Sequence, residues 1–383
     1  MPLRVNLYGN VCNNAYVIAK FLQRHGIDAH LFIERGFPWL PHHDDPDLEG
    51  RYPGWIHMVP DLRWRRYGMF DGSFVRRLAE CDVVHTFYWG PIWARKTGRP
   101  FMFQSYGGDL RYMPFMRDSV HHQFLAARQR RGIQAADLVA RSNMNITDEA
   151  VRRLGLSRLV YLPLMLDAER FRPMAAEEIA RARATYGIDW LFFHPTRQSW
   201  VHGDAGETWK ANDRVFRAFA RFLRDTGRKA LLVAVAHGPD VAASEALVET
   251  LGIKDSVRWV RPMMRSALVA LYNAADLVLD QFGRGDFGTI ALEAWACARP
   301  VIINIKAHAG EPGEPPPALR AETEQEIYET LVTRTASRDE LRALGMQARE
   351  WIMKHRFGDA VVAQYVSCYD ALLGGRAPVA VQA

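Results

Sequence analysis

Two cations and one carboxylate carry the chemistry that this chain could do. Arg197 and Lys210 both follow the apolar run Trp190-Leu191-Phe192-Phe193, and Glu293 follows a glycine-rich turn further along. A guanidinium and an ammonium close together bind diphosphate oxygens, and their field stabilises a leaving diphosphate without a metal. A carboxylate beside them can reach a sugar hydroxyl. The turn lies in residues 280–302, with Gly283, Gly285 and Gly288 breaking the chain after Leu277-Val278-Leu279. Residues 290–298 read as a helix that stops before Arg299-Pro300, and Val301-Ile302-Ile303 reads as the next strand. Strand, turn, helix and strand form a right-handed crossover unit. The free amides of Phe287, Gly288 and Thr289 at the helix start would receive an anion, and glycines let phosphates approach the backbone. Read singly, the turn is also an ordinary capped βα turn, and Arg197 and Lys210 are surface cations.

The elements that must position these residues alternate strand and helix. Val5-Asn6-Leu7-Tyr8 reads as a strand, residues 9–14 as a glycine and asparagine turn, residues 15–25 as a helix stopped by Gly26, and residues 29–33 as a strand. This βαβ opening implies a parallel sheet, with the Gly9 to Asn14 loop at its ligand-binding carboxyl end. No Gly-x-Gly-x-x-Gly fingerprint is present, so a nicotinamide cofactor is not indicated. Further strands are expected over 81–86, 100–105, 136–142 and 159–163, with helices over 119–131, capped by Asp118, and over 147–154. Residues 36–60 read as one long solvated loop, in which His42, His43, Asp44 and Asp45 lack a ligand pattern for a metal. The rhythm restarts after a linker at 164–173, with strands over 190–193, 230–236 and 257–260 and helices over 213–225, 244–251 and 264–273. Helices over 322–331, 337–354 and 359–373 close the chain.

The bulk numbers bound the class. A chain of 383 residues exceeds what one core usually organises, so two domains are expected, over residues 1–165 and 174–355. Hydrophobic content of 49% and charged content of 24% fit a soluble protein, and no apolar run approaches a membrane span. No signal peptide precedes the first strand, and the four cysteines are far apart without metal spacing, so a cytoplasmic location is expected. The net charge of +6 fits a diphosphate ligand or an anionic membrane face. Nucleic acid is not the expected partner, because no zinc-finger, RNA-binding or recognition-helix signature accompanies the charge. The interleaved Leu62-Arg63-Trp64-Arg65-Arg66-Tyr67 reads as a solvated face, a membrane-surface patch or an acceptor edge.

Order and spacing together are more specific than any piece. Arg197 and Lys210, then Leu271-Tyr272-Asn273-Ala274-Ala275-Asp276-Leu277-Val278-Leu279, then Gly285-Asp286-Phe287-Gly288 running to Glu293-Ala294 and Pro300-Val301, resemble the family 4 type of retaining, nucleotide-sugar-dependent glycosyltransferases. Asp82-Val83-Val84-His85, Gly107-Gly108-Asp109, Ala136-Asp137-Leu138-Val139 and the stretch from Pro163 to Pro173 extend the resemblance over nearly the whole chain. It implies an α/β chain with the GT-B fold, two Rossmann-like parallel-sheet domains facing each other across a cleft. The final helix, 359–373, would cross back to the first domain.

The resemblance also implies roles. Arg197 and Lys210 would hold the donor diphosphate, and Glu293 the ribose hydroxyls. Phe287, Gly288 and Thr289 would contact phosphate or sugar through their amides, with Gly9 and Asn10 approaching from the other domain. The family's first motif glutamate is Gly285 here, and Asp286 is the candidate replacement. Asp109 is a candidate catalytic group, with His85, Tyr106 and Asn13 on the acceptor side. Asp109 and His85 read equally as structural turn or strand-end residues. Tyr106 stands where the family often has a histidine. The expected reaction moves a sugar from a nucleoside-diphosphate sugar to a hydroxyl of a glycan, glycolipid or small-molecule acceptor, with retention and without metal or cofactor. Trp39, Trp55, Trp64, Trp89 and Trp93 could stack on sugar rings or pack the core. A basic, aromatic first half adds an expected peripheral contact with the inner membrane face. The rival readings are a nucleotide-sugar epimerase or hydrolase, and a chain that only binds nucleotide or glycan.

Overall fold

Short apolar runs with no polar face, such as Phe101-Met102-Phe103 and Ala230-Leu231-Leu232-Val233, belong in parallel sheets covered on both sides. The computed structural model describes residues 2–62, 72–142, 147–184, 186–201, 209–283, 285–306 and 313–374. They form two compact units, one of Met1–Leu166, Gly310–Glu314 and Arg356–Ala383, the other of Asp167–Ala309 and Pro315–His355.

The first unit holds β1 (Arg4–Tyr8), β2 (Asp28–Glu34), β3 (Ile56–Val59), β4 (Val83–Thr86), β5 (Phe101–Ser105), β6 (Leu138–Arg141) and β7 (Leu159–Tyr161). They pair in the order β3-β2-β1-β4-β5-β6-β7. Every pairing is parallel, with Val5 opposite Ala29 on one side and Val83 on the other. The helix Asn14–Arg24 buries Tyr16, Val17, Ile18, Phe21 and Leu22 against one face. The last helix, Gly358–Leu372, belongs to this unit and buries Val361, Val362, Tyr365 and Tyr369 in the same core. Gly358 meets Phe21 so closely that no side chain fits there.

In the second unit β8 (Trp190–His194), β9 (Ala230–Val235), β10 (Val257–Val260), β11 (Leu277–Leu279), β12 (Val301–Ile303) and β13 (Leu319–Arg320) pair in the order β10-β9-β8-β11-β12-β13. All of these pairings are parallel as well. The order reverses at β8, and its neighbour β11 leads into the glycine-rich turn. Open α/β sheets bind ligands at the carboxyl ends of strands at such a switch point. The helix Asn212–Thr226 repeats its apolar residues with a helical period, burying Val215, Phe216, Phe219 and Phe222 on the sheet.

Several expectations need correction. The loop expected over 36–60 contains β3 and the short turns Pro41–His43 and Pro46–Leu48. An edge strand of mixed polarity such as Ile-His-Met-Val is held by backbone pairing and leaves little periodicity in a sequence. The cap of the helix Val120–Gln134 is Ser119, whose hydroxyl accepts from the His122 amide at 3.1 Å, and not Asp118. Helices Gly72–Leu78 and Ala176–Ala184 were not anticipated, and the helix expected at 244–251 starts at Val241. The basic and aromatic residues 63–67 lie outside the described residues. No helix among the described residues is long and apolar enough to cross a membrane.

Candidate functional site

Lys210 is fixed by its neighbours before its ammonium does anything. Its amide donates to the Ser199 carbonyl at 2.7 Å, and its own carbonyl accepts from the Phe282 amide at 3.0 Å. Ala211 follows in the left-handed region, at φ 53°, and is fully buried. A residue with a Cβ pays about 1–3 kcal/mol there and persists only where its surroundings over-determine it. Asn212 provides that constraint. Its Oδ1 accepts from the Ser199 amide at 2.9 Å, and its Nδ2 donates to His194 Nε2 at 2.9 Å. His194 Nδ1 then donates to the Leu279 carbonyl at 2.8 Å. Burial pushes His194 down to about 4, so it is the neutral tautomer that links β8, β11 and the helix.

So positioned, the Lys210 ammonium donates to Gln281 Oε1. The Gln281 amide donates in turn to the Asp286 carbonyl oxygen at 2.7 Å and to its Oδ1 at 2.9 Å. A cation, an amide and a carboxylate are thereby strung along the turn before the helix Thr289–Ala296. That helix starts at Gly288 with no side-chain cap, so its first-turn amides keep their anion-binding character. Phe287 is a packing residue. Its ring lies 5.6 Å from Trp295 and 6.4 Å from Trp351, which leaves only its backbone for a ligand. Below the turn, Asp280 accepts from the Thr196 hydroxyl at 2.8 Å, while its Oδ2 is buried with no hydrogen bond among the described residues. Burial pushes the Asp280 carboxyl up to about 6, against the pull of Lys210.

Arg197 leaves the carboxyl end of β8 half-buried, and its guanidinium makes no ion pair among the described residues. Its stem passes Gly238, where a Cβ would sit 2.6 Å from Arg197 Cγ. Of the two cations, Lys210 reaches the turn. Glu293 lies on the helix and is only 2% exposed. Its Oε1 accepts from Arg265 Nε at 2.9 Å and Nη2 at 2.6 Å, and its Oε2 from the Tyr272 hydroxyl at 2.9 Å. Two donors of one guanidinium on one oxygen make this a charge-assisted pairing. Gly285 has φ 80°, and the Lys306 stem occupies the space that a side chain at Gly285 would need. Any role of a carboxylate on this turn therefore falls to Asp286, one of whose oxygens is already tied to Gln281.

In the first unit the candidates serve the scaffold. Asn10 and Asn13 are fully buried. Asn10 Nδ2 donates to Asn13 Oδ1 at 2.7 Å and the Trp39 carbonyl at 3.1 Å, and its Oδ1 accepts from the Tyr16 amide at 2.9 Å. Asn13 Nδ2 donates to the Leu40 carbonyl at 2.9 Å and Asp44 Oδ1 at 3.0 Å. Their side chains clasp the 39–44 segment and are not presented to a donor or an acceptor. Asp44 is accordingly buried, where a solvated loop residue was expected. Gly9, at φ 96°, is needed because a Cβ there would lie 2.8 Å from the Phe87 carbonyl oxygen. Asp109 is a turn carboxylate. Its Oδ1 accepts from the Ser105 hydroxyl at 2.7 Å and from the Tyr106 and Gly107 amides, each at 3.1 Å. His85 is fully buried, shares a 2.9 Å hydrogen bond with the Tyr369 hydroxyl, and is pushed by burial down to about 3. It belongs to the core and not to an acceptor surface. Tyr106 stacks on Phe87 at 5.4 Å with its hydroxyl buried. Trp89 and Trp93 are core residues at 7% and 0% exposure.

The residues that sequence reasoning left without roles are Gln281, Asp280, Arg265, Tyr272, His194 and Asn212. Asp280 and Gln281 carried a signal, because two polar residues directly ended a buried apolar strand. Arg265 and Tyr272 carried none, since only packing sets the helix Arg265–Ala274 beside Glu293. Among the described residues no three His, Cys, Asp or Glu side chains come together as a metal cluster.

Residues 204–308, which include Lys210, the turn and Glu293, match the family described as Glycosyl transferases group 1. A D-inositol 3-phosphate glycosyltransferase of Saccharomonospora viridis is 34% identical over 238 residues, covering 56% of this chain and 52% of that protein. Its counterpart in Rhodococcus opacus is 29% identical over 240 residues, covering 58% of this chain and 51% of that protein. The chain thus spans about half the length of these curated relatives. The structure of Anabaena Alr3699/HepE in complex with UDP and glucose superposes with a TM-score of 0.72 at 14% identity, covering 96% of this chain and all (100%) of that one. That likeness extends the shared fold over both units.

Proposed function

We propose, on the premise that this is a GT-B-fold chain of the group 1 glycosyltransferases, that it transfers a sugar from a nucleoside-diphosphate sugar to a hydroxyl acceptor with retention. The observation that carries this is the Lys210 ammonium, held at Gln281 on the turn that ends in an uncapped helix start. A diphosphate placed there meets a cation and free amides, and Arg197 adds a second cation from the same strand end. Glu293, oriented by Arg265 and Tyr272, is the candidate partner of a ribose hydroxyl.

In the transfer, the bond from the anomeric carbon to the diphosphate oxygen breaks. A bond from that carbon to the acceptor oxygen forms on the same face. The acceptor proton passes to the leaving phosphate oxygen, so no side-chain base is required and Asp109 is left to its turn. Lys210, Arg197 and the helix amides take up the charge that develops on the leaving group. In this reading the reaction needs no metal, and chelator leaves the rate unchanged.

The test is product analysis by mass spectrometry over a donor panel that begins with UDP-glucose and an acceptor panel that includes D-inositol 3-phosphate and lipid-linked glycans. These choices follow the ligands and acceptor named for the similar proteins. Lys210→Ala is expected to lower turnover by about a hundredfold, the scale of losing one charge-stabilising donor. Full activity in that variant rejects the assignment. A cytoplasmic setting, with an acceptor at the membrane face, belongs to the same reading. A second reading, binding without turnover, is favoured by Gly285 and the Lys306 stem that fills its space. Nucleotide binding by calorimetry with no product over both panels would establish it.

A further inference from the structure

The second unit carries a cationic cavity at the other end of its sheet from the glycine-rich turn. It has a volume of about 570 Å³ and opens among the helix Ala176–Ala184, the helix Arg338–His355 and the segments that enter β11 and β12. Asp276 precedes β11 and Arg299 precedes β12, so these are the amino ends of strands whose carboxyl ends face the turn. Four guanidiniums, of Arg183, Arg299, Arg338 and Arg342, line it against one carboxylate, that of Asp276.

The partners of these arginines leave the charge uncompensated. Arg183 pairs with Asp276 at 2.9 Å, and that uses the acid that lines the cavity. Arg338 donates to the Asp189 carbonyl and lies over the Trp190 ring at 4.5 Å, neither of which carries a full charge. Arg342 pairs with Asp339 at 3.2 Å, but both are mostly exposed, so that pair is weak. Arg299 is the deepest of the four. It donates from Nη1 to the Ala275 carbonyl at 3.3 Å, while its Nε is buried with no hydrogen bond among the described residues. Burial and the like charges of Arg183 and Arg342 push its pKa down. A guanidinium held this way gains from any oxyanion that enters, because planar forks match tetrahedral phosphate oxygens.

We infer that this cavity is a binding site for a phosphate-class oxyanion, separate from the donor site, with Arg299 and Arg342 as its anchoring residues. Ile179, Leu341 and Met346 form an apolar wall beside the cations, so the phosphate group belongs to a molecule that also carries apolar surface. The same chemistry occurs in a soluble phosphate ester and in an anionic lipid headgroup.

The experiment uses the full chain as wild type, Arg299→Met/Arg342→Met, Arg299→Lys and Lys210→Ala/Arg197→Ala. Isothermal titration with inorganic pyrophosphate is one arm, and flotation with phosphatidylglycerol vesicles against neutral phosphatidylcholine vesicles is the other. Wild type is expected to show two pyrophosphate events, of which Arg299→Met/Arg342→Met loses one and Lys210→Ala/Arg197→Ala loses the other. Each lost event weakens by about tenfold or more, the scale of one charge-assisted hydrogen bond. Arg299→Lys keeps its charge and retains weaker binding, which separates loss of the site from loss of fold. If the arginine-dependent signal is seen only with vesicles, the source is a headgroup. If it is seen with free pyrophosphate, the source is a soluble phosphate. Wild-type binding in both arms for a folded Arg299→Met/Arg342→Met variant overturns the inference.

Discussion

At the residue scale, two buried carboxylates are held by different donors. Glu293 receives two bonds from the Arg265 guanidinium and one from the Tyr272 hydroxyl. Arg265→Met removes the cation and leaves the charge buried, which is expected to cost about 3–5 kcal/mol in urea unfolding. Adding Glu293→Gln to that variant recovers part of the loss, and a double variant no more stable than the single would reject the pairing. Asp280 receives one hydroxyl, and burial raises it from 3.8 to about 6. The folded state then binds a proton that the unfolded state has released. Stability falls as pH rises from about 4 to about 6 and is flat above that, a contribution of about 3 kcal/mol. Asp280→Asn should therefore raise the melting temperature at pH 8 and have a smaller effect at pH 5. An equal shift at both pH values would show that the raised pKa plays no part.

At the element scale, the turn is built by close approach of two backbones as much as by its own glycines. A Cβ on Gly283 would lie 2.5 Å from the Trp209 carbonyl oxygen, one residue before Lys210. Gly283→Ala should push the two segments apart and lengthen the reach from Lys210 to Gln281. The expected result is weaker nucleotide binding by calorimetry with the melting temperature lowered only slightly. Unchanged affinity would mean that the turn tolerates the shift. The left-handed Ala211 belongs to the same scale, since a side chain is forced into that region only because Asn212 and Lys210 are both tied on either side of it.

At the scale of the whole molecule, the chain returns to its first unit at the end. Tyr365 donates to the Pro163 carbonyl at 2.8 Å, and Tyr369 meets His85 at 2.9 Å, so the last helix completes a core begun at β1. Truncation after His355 should unfold the first unit selectively. Hydrogen exchange would show protection lost over β1 to β7 and kept over β8 to β13, and protection retained in both would refute this. Much of this organisation was legible in the residues. The alternation of apolar runs with helical periods determined two parallel α/β halves, because a strand buried on both faces has no other way to be written. The order of Arg197, Lys210, the turn and Glu293 along the chain is what carried the resemblance. Only tertiary structure decided which polar residues are spent on the scaffold. Asn10, Asn13, Asp109 and His85 have side chains fit for chemistry, but each is buried among donors and acceptors that lie elsewhere in the chain or across a turn. It also decided that Arg265 meets Glu293, since a pairing across two helices depends on packing that no local pattern records.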